Sequence, residues 1–481
     1  MEAVMSDSLH TAIRSANQPL SEPGHSCQPA APASADFGLY LSIPFCRSKC
    51  TYCNFASGVY PASQHDRYVA RLIADLDASR AWSRSQGLDL PATLTSIYFG
   101  GGTPVLLAPH HFEAIFAAIA RNFQLAPGIE ITIEAAPGQL ADATLDALVR
   151  CGANRISLGV QSFVDRESAI SGRLHTRAQV LADIARIRAA GIANLNLDLL
   201  AGLAGQTLDS WSESLAVLLD TGTPHASIYM LEIDEDSRLG RELLDGGARY
   251  HAALVPSDDA IATMYQTAIE TLAHAGLAQY EISNFARPGH ASRHNLAYWQ
   301  RTPYLGVGLD ASSMLFAARA AGATEAHPEA NPEANPEAHP EPHPSLRFTT
   351  TADLAAYLEH SGSQPEPSQS DSPSTPAASP AAKPAPNPAA SPAPPIAEQS
   401  WLGPVQQLEE SWFLGLRCNS GIQLDPLRHT FGHAALEPSL AAAQALVHDG
   451  LLETTPQGFA LTPRGRLLSN DVFAAFLHLT H

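Results

Sequence analysis

The chain has 481 residues, 45% of them apolar and 16% charged, with Lys+Arg 28 against Asp+Glu 48 and a formal net charge of -20. It is too long for one ordinary domain and apolar enough to bury a full core, while its negative charge repels phosphate backbones and argues against nucleic acid as a partner. Six cysteines, three of them within eight positions, are too sparse for a disulfide framework and point to metal in a reducing compartment.

In chain order, residues 1–36 mix Ser, Pro, His and acidic residues without the basic and apolar regions of a secretory signal, and read as a disordered extension. No run of about 18 apolar residues follows, so no spanning helix is expected and the chain reads as cytoplasmic. From Leu39 onward six β-rich runs appear: LYLSIPF, SIYFGGG, IEITIEA, NRISLGV, NLNLDLL and HASIYML. Helical patterns alternate with them at 66–85, 109–123, 142–151, 178–190 and 208–220, several closing with Gly. Strand-then-helix repetition specifies a parallel sheet with helices outside, and six repeats predict α/β architecture as an open, partial (β/α)6 TIM-like barrel over 37–315.

Composition changes after Leu315. Residues 316–400 read as Pro/Ala-rich low-complexity insertions around one short ordered segment, 347–360, with a helical pattern. The histidines of the first tract read as part of a solvated linker rather than a metal site. Residues 401–481 predict a small, mostly helical, winged-helix-like domain with one hairpin, LLETTPQGFALTP, and too few basic residues for DNA recognition.

The chemistry concentrates in CRSKCTYC. Cys46, Cys50 and Cys53 are spaced C-x3-C-x2-C directly after the first predicted strand, the position of the active-site rim in a parallel barrel. Thiolates suit zinc or iron-sulfur clusters. A structural zinc site wants a fourth protein ligand; Cys27 lies in the extension, and Cys151 and Cys418 read as isolated buried thiols. Three thiols on a four-iron cube leave one iron open to a ligand. A second element, GGGTP at 100–104, places consecutive glycines after the second strand, where a ligand can approach the backbone and free N–H groups can hold a carboxylate.

This cysteine spacing resembles the signature of the radical S-adenosylmethionine (SAM) superfamily. ITIEAAP, GVQSF, SGRLHT and NLDLLAGL, in that order at successive strand ends, are similar to its coproporphyrinogen-dehydrogenase-like branch. The resemblance implies that Cys46, Cys50 and Cys53 hold a 4Fe-4S cluster and that Tyr40, Tyr52, Gly101, Gly102, Thr103, Glu134, Gln161, Arg173 and Asp198 contact S-adenosylmethionine. It also implies reductive cleavage of the sulfonium to methionine and a 5'-deoxyadenosyl radical, the protein supplying position and exclusion of water.

Within the branch two relatives differ. The oxygen-independent coproporphyrinogen III dehydrogenase carries a further Cys two positions after the third ligand, where this chain has Phe55. HNLAYW at 294–299 resembles instead the HNxxYW motif of the heme-chaperone branch, as do ESWFLGLRCNSGI and LTPRGRLLSNDVFAAFL. That likeness implies heme as the cargo, His294 as a candidate heme ligand, and acceptor hemoproteins such as respiratory enzymes as partners. The cluster and SAM would support the transfer or a homodimer, and a membrane-embedded acceptor would bring transient membrane association. The dehydrogenase remains the alternative, and a scaffold with a vestigial site is a third class.

Overall fold

The computed structural model describes residues 36–318, 342–360 and 394–477. Expectations for residues 1–35 and for most of the two Pro-rich tracts lie outside the described residues. The six expected strands are β1 (Gly38–Ile43), β2 (Thr93–Gly101), β3 (Gln124–Ala135), β4 (Arg155–Gln161), β5 (Asn194–Ala201) and β6 (His225–Met230), parallel neighbours in that order. Between them run α1 (His65–Ser85), α2 (Pro109–Asn122), α3 (Asp142–Arg150), the short α4 (Asp165–Ile170), α5 (Arg177–Ala189) and α6 (Leu208–Asp220).

Alternation along the strands explains both faces. Leu39, Leu41, Ile97, Phe99, Ile131, Ile133, Ile156, Leu158, Leu195 and Leu197 are buried in the main core; Phe99, for example, meets Phe112 and Phe116 of α2. The intervening positions are polar: Ser96 and Tyr98, Glu130 and Glu134, Ser157, Asn196 and Asp198, Ser227 and Tyr229. Successive strand side chains point to opposite faces, so the curled sheet turns its apolar face to the helices and lines its interior with hydrogen-bonding groups.

The sheet does not close. Among the described residues it has twelve strands and ends at β12 on one side and β7 on the other. After β6 come α7 (Arg238–Leu244), α8 (Asp258–His274), β7 (Ala278–Gln279), β8 (Asn284–Ala286) and α9 (Arg293–Trp299), with β8 antiparallel to β6 and β7. On the other edge β9 (Tyr304–Gly308) is parallel to β1, followed by antiparallel β10 (Ser312–Phe316), β11 (Ser345–Thr350) and β12 (Ile396–Leu402). The expected boundaries therefore shift: β11 occupies the start of a segment read as helical, whose helix α10 is only Leu354–Glu359, and β12 begins inside the stretch read as insertion.

The C-terminal module has its own core around Trp412 of α11 (Pro404–Arg417), which stacks on Phe476 at 4.6 Å. Helices α12 (Leu424–Phe431) and α13 (His433–His448) precede the expected hairpin, β14 (Leu452–Thr454) and β15 (Gly458–Leu461), and β13 (Ile422–Gln423) adds a third strand. This is a helical module with a small wing. Cys418 in it is disulfide-bonded and Cys151 only half-buried, which corrects the reading of both as isolated buried thiols.

Candidate functional site

The loop after β1 carries Cys46, Cys50 and Cys53, all half-buried free thiols at the C-terminal end of the parallel strands. Loop and barrel are tied by backbone bonds: Cys46 N–H to Gly58 O (2.9 Å), Thr51 N–H to Ser171 O (3.1 Å) and Leu239 N–H to Thr51 O (2.8 Å). Thr103 Oγ1 lies 3.8 Å from Cys46 Sγ, and Ser57 Oγ 4.0 Å from Cys53 Sγ. Burial pushes the Cys46 thiol up, opposed by the Ser57 and Thr103 hydroxyls, so a bound cation would have to draw off its proton.

All three thiols are free and half-buried on one loop. Among the described residues, the His, Cys, Asp or Glu group whose ligand atoms all lie within 4.8 Å of one another is Asp66, His110 and His111, not the three cysteines. Three thiols on a four-iron cluster would leave its fourth iron open. Asp66, His110 and His111 make a poor ion site, because His111 Nδ1 accepts the Ala108 N–H (3.2 Å) and its Nε2 therefore carries a proton toward Asp66 (2.7 Å).

Around the thiols the structure gathers the residues expected to hold S-adenosylmethionine. Tyr52, inside the cysteine motif, accepts a hydrogen bond from Arg173 Nε at 3.1 Å. The Arg173 guanidinium and the Gln161 amide crowd the space where a side chain on Gly159 would start, 3.2 and 3.3 Å away; Gln161 itself has φ 69°. Glu134 accepts from Tyr98 Oη at 2.8 Å, and Tyr98 lies between the rings of Tyr40 (6.1 Å) and His294 (5.1 Å). Asp198 accepts from Asn196 Nδ2 (2.6 Å) and Ser157 Oγ (3.2 Å). Burial raises both carboxyls: Glu134 is pushed up to about 7, with Asp198 adding repulsion and Tyr98, Gly101 N–H and Arg173 opposing, while the Asp198 shift is opposed by Ser227, Asn196 and Ser157.

The glycine motif works differently from its sequence reading. Its N–H groups are not free: Gly101 N–H serves Glu134, Gly102 N–H donates to Ile43 O (2.8 Å) and Thr103 N–H to Phe45 O (2.7 Å). The triplet instead lets β2 press against the start of the cysteine loop, and a Cβ on Gly102 would sit 2.8 Å from Ile43 O and Phe45 O. Backbone atoms there cannot yield, so Gly102→Ala should cost roughly 1–3 kcal/mol of stability by overpacking and lower cluster retention; an unchanged Tm with full iron content would show that the loop yields freely.

His294, the candidate heme ligand, is enclosed in this structure. It is 1% exposed, with Nδ1 2.8 Å from Ser96 Oγ and Nε2 2.9 Å from Tyr298 Oη, and its backbone N–H donates to Glu130 Oε1 at 3.1 Å. Both ring nitrogens are in hydrogen bonds in this structure, so iron ligation would require one of them to be broken. Burial lowers its pKa to about 3, which keeps the ring neutral. Its neighbours Gly38 and Ser96 lie near the starts of β1 and β2, so α9 plugs the barrel at the end opposite the cysteines. The same helix seats the C-terminal module: Arg417 lies 4.3 Å over the Trp299 ring, and Arg301 and Arg347 both bind Glu410 (3.0 and 2.8 Å). The side chains that hold the carboxylates, Tyr98, Ser157, Asn196 and Ser227, were missed in sequence, although the polar residues alternating through SIYFG, NRISLG and NLNLD mark them.

The chain matches the Radical SAM superfamily at residues 40–218 and the HemN C-terminal domain at 402–468. It is 29% identical over 438 residues to the heme chaperone HemW of Lactococcus lactis subsp. lactis (strain IL1403), covering 91% of this chain and 96% of that protein. Identity to the heme chaperone HemW of Mycobacterium tuberculosis (strain ATCC 25618 / H37Rv) is 33% over 308 residues, 63% of this chain and 74% of that one. Among solved structures, coproporphyrinogen III oxidase (HemN) from Escherichia coli, described as a radical SAM enzyme, superposes with a TM-score of 0.69 at 20% identity, covering 94% of this chain and 92% of that one, a likeness of fold.

Proposed function

Because the chain belongs to the HemW family of heme chaperones within the radical SAM superfamily, we propose that it binds heme and delivers it to acceptor hemoproteins such as respiratory enzymes. The observation that carries this over the dehydrogenase is Phe55: the cysteine loop presents an apolar ring, 60% exposed, where the enzyme branch would have a further thiol. Cys46, Cys50 and Cys53 hold the 4Fe-4S cluster, whose electron, delivered to the sulfonium, is the chemistry that the cofactors supply when bound. Tyr40, Tyr52, Gly101, Gly102, Thr103, Glu134, Gln161, Arg173 and Asp198 surround S-adenosylmethionine. The half-buried carboxylates accept from its ammonium and ribose hydroxyls, and Arg173 faces its carboxylate. No helix among the described residues is long and apolar enough to cross a membrane, so any meeting with a membrane-borne acceptor is peripheral; pairing into a homodimer is compatible with this role.

The test is a heme titration of anaerobically reconstituted protein, run beside an assay for coproporphyrinogen III consumption. Stoichiometric heme binding without consumption is expected; SAM-dependent consumption without heme binding would mean the chain is the dehydrogenase. His294→Ala belongs in the same experiment. Losing two buried hydrogen bonds and the packed ring should destabilise the chain by roughly 2–4 kcal/mol yet leave heme stoichiometry intact in the folded fraction. A variant that folds normally and binds no heme would return His294 to the role of ligand.

A further inference from the structure

We propose that His251 is an axial ligand for heme held against the apolar rim beside the cysteine loop; this rests on the heme-binding reading above. With His294 enclosed at the far end of the barrel, an iron ligand has to come from a side chain that heme can reach, and imidazole is a common one. Segments that follow the strands at the cysteine end carry exposed large apolar side chains: Phe55 (60% exposed), Leu174 (61%), Ile233 (53%), Leu244 (63%) and Leu254 (45%). They come from the segments that follow β1, β4 and β6, which leave the parallel strands at the same end as the cysteine loop. Apolar surface of this kind marks an interaction site.

His251 belongs to this rim. It is exposed, its side chain makes no hydrogen bond or ion pair among the described residues, and it lies in the 3-10 turn Arg249–Leu254, which packs against α7. That excursion is tied to the cysteine loop through Leu239 N–H on Thr51 O (2.8 Å), Arg238 on Lys49 O and Asn54 on Asp234. Tyr250 and His251 are both left-handed, at φ 54° and 60°. Non-glycine residues adopt that backbone at a cost, and such conformations collect at binding sites. The Tyr250 ring is flanked by the guanidinium groups of Arg238 (5.4 Å) and Arg249 (5.3 Å), and the nearby Glu242 carboxylate is engaged by the Arg249 N–H (3.0 Å). Imidazole for iron, leucines and a phenylalanine for the macrocycle, and arginines for the propionates complement the three parts of heme.

Hemin titration of the full-length, reconstituted protein, followed at its Soret band, tests this with His251→Ala, Arg249→Ala and the control variants His433→Ala and His448→Ala, which are exposed in the C-terminal module. His251→Ala should weaken binding by about tenfold or more and shift the Soret maximum, with added imidazole restoring the wild-type spectrum; Arg249→Ala should weaken binding without the spectral shift, and both controls should match wild type. If wild type binds and His251→Ala gives the same affinity and spectrum, the assignment of His251 is overturned while the chaperone reading stands. If wild type binds no hemin, the chaperone reading itself fails.

Discussion

Replacing Cys46, Cys50 or Cys53 by Ala should abolish the iron-sulfur cluster and leave the apo-protein folded. On the cluster reading proposed above, each thiol is a ligand that no neighbour can replace, since among the described residues the other free cysteine, Cys151, is half-buried on the turn after α3, away from the strand ends. The thiols themselves contribute little packing. They are half-buried, and the hydroxyl contacts to Cys46 and Cys53 are long, at 3.8 and 4.0 Å. The loop is held by backbone bonds that alanine keeps. Stability of the apo form should therefore change by less than about 1 kcal/mol, while iron and sulfide after anaerobic reconstitution fall from one cluster per chain to trace. The check is iron and sulfide analysis with optical spectra beside a thermal melt. Full iron in Cys46→Ala would remove that residue from the ligand set, and stoichiometric zinc in the wild type would overturn the cluster reading.

S-adenosylmethionine affinity should rise with pH through neutrality, by about tenfold per unit below pH 7, and level off above it. The cause is Glu134, whose burial pushes its carboxyl up to about 7 against opposition from Tyr98, Gly101 N–H and Arg173. Below that value the group is largely a neutral acid and attracts a cationic ligand poorly; above it the carboxylate is available. Stability of the ligand-free chain runs the other way. A carboxyl whose folded pKa lies above its unfolded value of 4.5 binds more protons when folded, so its contribution to stability is lost as pH rises from about 4.5 to about 7. Glu134→Gln should flatten both profiles relative to wild type. Equilibrium dialysis from pH 5.5 to 8.5 decides the first and pH-dependent melts the second; a wild-type affinity independent of pH would place Glu134 outside the ligand site.

Most of the barrel was legible because one physical signal repeats. Each of β1 to β6 alternates apolar residues that fit under helices with polar ones that line the interior, and each is followed by a helix-period segment. The site was legible for a related reason: in a parallel sheet with helical crossovers, the loop after every strand opens at the same end, so CRSKCTYC, GGGTP, Glu134, Gln161, Arg173 and Asp198 converge whatever their separation in sequence. Strands β7 to β12 were not legible. They are two to seven residues long, and their pairing depends on partners from other parts of the chain, as when Ser345 meets Leu402 across a segment of unrelated composition.

The sequence by itself determined the alternation, the cysteine spacing and the order of the motifs, which are local properties and sufficed for fold class and family. Only the tertiary structure decided what individual groups can do. Whether an N–H in GGGTP is free depends on how closely Ile43 and Phe45 approach it, and both bonds are already made. Whether the histidine of HNLAYW can bind iron depends on Ser96 and Tyr298, the first almost two hundred residues away in sequence, and they occupy both of its ring nitrogens. Residue type sets the hydrogen-bonding capacity of a side chain, but the folded neighbours set how much of that capacity is left, and that balance is a property of the packed molecule.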